Sequence, residues 1–186
     1  MDIDDAVREI SESIPDIMRI SDEKIRSDTA SVYQELLRGS KWKDIAQQYI
    51  TSKIPISGVE HVNAVVAMSV QMAKIITDRH NIMVNMDYLI SGAILHDASK
   101  LVEYEPGSDG ETRTKLGDLG QHTMKCVALM ISRKMPEEII HIVVSHTPQS
   151  ATVPKTVEAV IVYFADSADY NVLRIAHKLG ADIRKG

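Results

Sequence analysis

Apolar residues recur at three- and four-residue intervals along most of the chain, the spacing that lines one face of an α-helix. Three amphipathic segments open it: Ile3 to Ile14, Asp22 to Leu37 closed by Gly39, and Ser40 to Tyr49. Lys53 to Gly58, with Pro55, reads as a connector. Ser57 is placed to cap a long helix through Ile76, whose Val62, Val65, Val66, Ser69, Met72, Ala73 and Ile76 form a broad inward stripe. The next helix starts at Met86 or Asp87 and runs to Ser99. Glu103 to Leu116 is polar, contains Pro106, Gly107 and Gly110, and is expected to be a flexible loop of the kind used as lids. Helices resume over Asp118 to Lys134, Pro136 to His146 and Pro154 to Leu179. Val157 to Phe164 is rich in β-branched residues, but Val157, Val160, Ile161, Phe164, Ala165 and Ala168 keep helical spacing, and no partner strand is expected elsewhere. The pattern predicts an all-α fold.

Composition narrows the function classes. The 186 residues suit one domain with a helical extension, and 44% hydrophobic with 25% charged residues excludes disorder. A net charge of -5 argues against a nucleic-acid or anionic-membrane surface, so phosphate binding has to be local. Cys126 is the one cysteine and cannot form an internal disulfide. The acidic start, Met1 to Ile10, lacks the basic and apolar parts of an export signal, and no apolar run is long enough to span a membrane; a cytoplasmic location is expected.

The seven histidines separate by helix face. His96 continues the stripe of Leu89, Gly92 and Ala93, whose small residues would leave room for an ion, and Asp97 adjoins it. His122 shares a stripe with Cys126, Leu129 and Met130; His146 with Ile139, Ile142 and Val143; Asp166 with Ala159, Val162 and Tyr163; His61 with Val65 and Met68. His141 follows Glu137 and Glu138 and is expected to face water, while His80 and His177 suit helix C-termini. A lone inward histidine is usually a satisfied core residue. Four imidazoles with two inward carboxylates, from five helices, make a nitrogen and oxygen ligand set for a divalent cation that would also offset the buried negative charge.

The order His61, His96-Asp97, His122, His146, Asp166 resembles the HD-domain superfamily of metal-dependent phosphohydrolases, an all-α fold. The pieces are GVEHVNAVV, AILHDASK, GDLGQHT, IIHIVVSHT and VYFADSADY, over about residues 57 to 180. HDASK is similar to the HD-x-x-K form, and His146-Thr147 with the later FAD is similar to bacterial HD-domain hydrolases of diadenosine tetraphosphate. Ala98-Ser99 departs from the frequent Ile-Gly of the family motif. The resemblance implies an HD domain, a single helical bundle, at 56–186, and residues 1–55, read from their periodicity as an N-terminal helical extension, have no counterpart in the family. It also implies two divalent ions: His61, His96, Asp97 and Asp166 on one, and His122, His146 and bridging Asp97 on the other. Iron or manganese comes first, with cobalt, zinc, nickel or magnesium also compatible.

Such a site would hydrolyse a phosphate ester or anhydride of a nucleotide or other small phosphorylated metabolite by a metal-activated hydroxide. Asp97 and Lys100 are the catalytic candidates, Lys100 balancing charge on a phosphoryl oxygen. Arg113 and Lys115, if the loop closes, and Asp118, Gln121, Thr147 and Gln149 near the pocket mouth are the candidates for holding substrate. Trp42 and Tyr163 are read as core rather than base-stacking residues. Two other readings stay open: a mixed-valent di-iron oxygenase on the same ligands, and a noncatalytic HD ligand-binding module. The extension is expected to act as structural cover or as a homo-oligomer interface.

Overall fold

The structure, a computed structural model, describes residues 3–182 apart from 52, 109, 121 and 151. Its helices are α1 (Ile3–Ser13), α2 (Glu23–Arg38), α3 (Gly58–His80), α4 (Met86–Leu95), α5 (Lys100–Glu103), α6 (Lys115–Leu119), α7 (Met124–Ser132), α8 (Glu137–Ser145) and α9 (Val157–Ala176). Short polar side chains set several starts. Asp22 accepts the Ile25 N–H ahead of α2, Asn85 the Tyr88 N–H ahead of α4, and Thr156 the Ala159 N–H ahead of α9. Ser57 and Glu60 cap each other's backbone at α3, as the sequence predicts for Ser57, and Asn81 in the left-handed region (φ 53°) ends that helix.

α4 lies at the centre, in contact with α2, α3, α8 and α9. Every residue from Leu89 to Leu95 is buried, as suits a helix apolar on all sides. A Cβ on Gly92 would lie 2.6 Å from Ile142, so the space left by that glycine admits α8. It is not space for an ion, as the sequence suggested. Ile10, Ile14, Ile17, Ile20 and Leu36 from the first 38 residues join the same apolar cluster as Leu89, Ile94, Met130 and Ile142. Asp87 ties this layer to the start of α4, accepting the Ser21 and Asp22 N–H groups at 2.8 and 3.0 Å and the Ser21 hydroxyl at 2.8 Å.

Three segments differ from the sequence expectation. Ser40 to Tyr49 is not a helix. Trp42 is buried, with its Nε1–H donating to the Tyr104 carbonyl at 3.0 Å, and only a 3-10 turn, Ile45–Gln47, precedes a hairpin of β1 (Tyr49–Thr51) and β2 (Ile54–Ser57). Glu103 to Leu116 carries a hairpin: β3 (Tyr104–Gly107) and β4 (Gly110–Arg113) pair antiparallel from Tyr104–Arg113 to Gly107–Gly110. Pro106, Gly107 and Gly110 there mark a hairpin turn rather than a flexible loop, with Gly110 at φ 114°. The helix expected over Asp118 to Lys134 is broken. α6 stops at Leu119, Thr123 sits at φ 71°, and α7 starts at Met124. Both strand pairs are local, and Val157 to Phe164 is helical as its spacing predicts.

Candidate metal centre

α4 ends at Leu95, and residues 96–99 tighten into three-residue hydrogen-bonded turns before α5, for example Ala98 N–H to Leu95 carbonyl at 3.1 Å. That turn carries His96 and Asp97 into the space between α3, α8 and α9. Asp97 Oδ2 lies 3.6 Å from both His61 Nε2 and His96 Nε2. Asp166 Oδ1, from α9, is 3.1 Å from His61 Nε2 and 3.9 Å from His96 Nε2. The other oxygen of Asp97, Oδ1, lies 3.4 Å from His122 Nε2 and 3.6 Å from His146 Nε2. Two groups result: His61, His96 and Asp166, and Asp97, His122 and His146, each with ligand atoms within 4.8 Å of one another. One carboxylate turns an oxygen toward each.

All four histidines turn Nε2 toward this space and occupy Nδ1 elsewhere. His96 and His146 donate from Nδ1 to the carbonyls of Ala93 and Val143, both at 2.7 Å, which fixes the proton on Nδ1 because a carbonyl only accepts. His61 Nδ1 donates to Asp169 Oδ2 at 2.6 Å and His122 Nδ1 to Glu103 Oε2 at 2.8 Å. Nδ1 held by a carbonyl or carboxylate, with an Nε2 lone pair aimed inward, is the orientation metal-ligating histidines take. A nitrogen and carboxylate set of this kind fits divalent iron, manganese, cobalt or zinc.

Electrostatics at the site follow from burial and carboxylates. Burial works against charge on His61 and His122, yet the hydrogen bonds His61 donates to Asp166 and Asp169, and His122 to Asp97 and Glu103, push each imidazole up to about 9. Burial dominates at His96, which falls to about 4. Asp97 is held well below the usual carboxylate range: burial opposes this, but Lys100 and the surrounding histidines prevail. Lys100 Nζ sits 2.7 Å from Asp97 Oδ2 and donates to the Ile50 carbonyl at 3.4 Å, so β1 helps anchor it.

A cavity of about 460 Å³ opens over the site. Lys100, Arg113, Thr147 and Gln149 line it, as the sequence suggests for substrate-holding groups. Lys115 is exposed and lies outside its lining, as does Asp118, which pairs with Arg113 Nε at 3.2 Å. Gln121 is outside the described residues. His141 joins neither triad; its Nε2 accepts the Lys155 N–H at 2.9 Å.

Sequence reading missed Glu103 and Asp169. Asp169 had a signal, since it follows Asp166 by three residues on one helix and so shares its face. Glu103 had none: it sat in a segment read as loop. Its Oε1 also accepts the Thr123 N–H at 3.1 Å, so one buried carboxylate holds both His122 and the left-handed residue that follows it.

The HD domain family matches residues 58–171. The chain is 36% identical, over 120 residues, to a dihydroneopterin 2′,3′-cyclic phosphate phosphodiesterase of Methanocaldococcus jannaschii, an alignment covering 63% of this chain and 48% of that protein. The chain thus spans about half the length of this relative. No solved structure matches it significantly. No helix among the described residues is long and apolar enough to cross a membrane. With the matched segment running from the start of α3 into α9, and so containing every residue of both triads, this chain belongs to the HD domain family.

Proposed function

We propose that this protein is a metal-dependent phosphohydrolase that opens a cyclic phosphodiester of a small metabolite. The observation that carries this reading is the division of Asp97, with Oδ2 facing His61 and His96 and Oδ1 facing His122 and His146. In this reading His61, His96, Asp97 and Asp166 hold one ion, and Asp97, His122 and His146 hold the second. Iron or manganese suits the donors best. Ions bound there would activate water and neutralise phosphoryl oxygens.

The chain's own residues supply position and charge. Asp97 fixes the spacing of the two sites. Lys100, held between Asp97 and Ile50, places a half-buried ammonium in the cavity lining, where it opposes negative charge on the phosphoryl group. Arg113, 5.4 Å over the Tyr104 ring and paired to Asp118, is anchored at the cavity wall by the hairpin and meets a phosphate oxygen from outside. Hydrolysis forms one P–O bond from water and breaks one ester P–O bond, with a water proton passing to the leaving alkoxide, so a cyclic diester becomes a monoester. The relative named above makes dihydroneopterin 2′,3′-cyclic phosphate the first substrate to test.

Protein purified without oxygen, analysed for metal and then assayed with manganese or iron on cyclic diesters, monoesters and nucleotides, tests the reading. Chelator-sensitive ring opening of a cyclic diester is the expected result. Turnover undiminished after complete metal removal, or no phosphoester cleaved with two ions bound, would overturn it. Oxygen uptake with substrate in the same preparation would assign the ligands to oxygenase chemistry instead.

A further inference from the structure

A second cavity, of about 280 Å³, adjoins the first on the His122 side and shares His122, Thr147 and Gln149 with it. The two differ in chemistry. The larger holds Lys100, Arg113 and the carboxylates of the two triads. Apart from His122, the smaller is lined only by uncharged side chains: Met124 and Val127 of α7 and Val144 of α8 supply hydrocarbon, and hydroxyl and amide groups of Thr123, Ser150 and Gln149 surround it. Its volume lies at the low end of ligand sites, enough for a ring system and too small for a whole nucleotide.

The break between α6 and α7 builds this space. Thr123 at φ 71° turns the chain so that α7 begins with Met124 at the cavity, and Met124 is 47% exposed although apolar. The opposite wall, 147–150, is stiffened by its own hydrogen bonds: Gln149 N–H to Thr147 Oγ1 at 3.0 Å, and Ser150 N–H to the Thr147 carbonyl at 3.0 Å. A thioether and two valines suit the faces of a flat ring, and hydroxyls and an amide suit its polar edge.

Resting on the phosphodiesterase reading, we infer that this annex is a substrate subsite for the uncharged, planar, hydrogen-bonding heterocycle of a cyclic phosphodiester whose phosphate sits at the paired triads. It sets specificity through the ring, whereas the larger cavity handles the charged end.

Val127→Phe and Val144→Phe fill the annex, and Met124→Ala strips its rim. Each is compared with the parent protein for metal content, for the kcat/KM ratio of dihydroneopterin 2′,3′-cyclic phosphate to ring-free glycerol 1,2-cyclic phosphate, and for calorimetric binding of neopterin, which carries the ring without phosphate. Expected are unchanged metal content, a ratio lowered by about tenfold or more in the filled variants through KM, and neopterin binding weakened in step. Met124→Ala, which adds no volume, gives the same sign with a smaller change and serves if a filled variant fails to fold. An unchanged ratio and unchanged neopterin affinity in the folded variants would overturn the subsite. So would a ratio that falls only when Tyr104 or Tyr170, two aromatic residues that line the larger cavity, is replaced by alanine, which would put the ring there. Failure of the phosphodiesterase reading looks different: neither diester is cleaved, while neopterin binding still reports on the annex.

Discussion

Asp97 turns one oxygen toward each triad, and the two triads are built in different ways. His61 and Asp166 sit within long regular helices, and His96 just past the end of the fully buried α4; His61 and His96 are almost inaccessible, at 1% and 0% exposure. In the other triad His146 ends α8, but His122 lies outside any helix and its side chain is 34% exposed. Helix packing positions the first triad. The second depends on a single side chain, Glu103, which holds His122 and Thr123 together. Ligands on a packed helix lose their freedom when the core forms, whereas a ligand on irregular backbone needs a dedicated partner to be ordered.

The largest expected effect removes the comparison altogether. Asp97→Ala takes away the carboxylate that faces both triads, and metal analysis is expected to show both ions lost and activity at background. Next, Glu103→Ala separates the halves: affinity for the second ion falls by about 10–100-fold while the first is retained, and Asp169→Asn does the reverse through His61. Calorimetric titration with manganese reads both, and equal loss at both sites in either variant would show that the halves are not independent. Complete chelation removes ligands of the folded state and is expected to cost about 3 kcal/mol per ion, about 5 kcal/mol for two independent sites, if each ion is at a hundred times its Kd. Thermal melting of the loaded and stripped protein measures it.

Smaller effects test the shared support. Asp87 clamps the start of α2 to the start of α4; burial raises its pKa, but the hydrogen bonds from Ser21 and Asp22 prevail and hold it below the ordinary value. A lowered folded pKa gives stability above the unfolded value that disappears as pH falls through the folded one. Asp87→Asn is therefore expected to destabilise near neutral pH, with the difference from the parent closing in acid; urea unfolding across pH reads this. Smallest of all, His141→Ala is expected to leave metal content and turnover intact, since His141 bonds Lys155 outside both triads.

Legibility followed the same division. The long helices, the Ser57 cap and the inward faces of His61, His96, His146 and Asp166 could be read because a regular helix ties sequence spacing to direction. The break before α7 could not, since it rests on Glu103 reaching across to a strained Thr123 from nineteen to twenty positions away. Trp42 likewise gave no sign that it would pin the Tyr104 hairpin in place of extending a helix.

Periodicity and residue type by themselves determined an all-α fold and the inward faces of His61, His96, His146 and Asp166. Tertiary structure alone decided that Gly92 admits Ile142 and so brings His96 and His146 together, with ring centroids 5.1 Å apart. It also decided that Asp97 divides its oxygens between two sites and that Glu103 supports one of them. Spacing along a helix fixes which way a side chain points, but which distant side chain it meets depends on close packing between elements, and no local pattern records that.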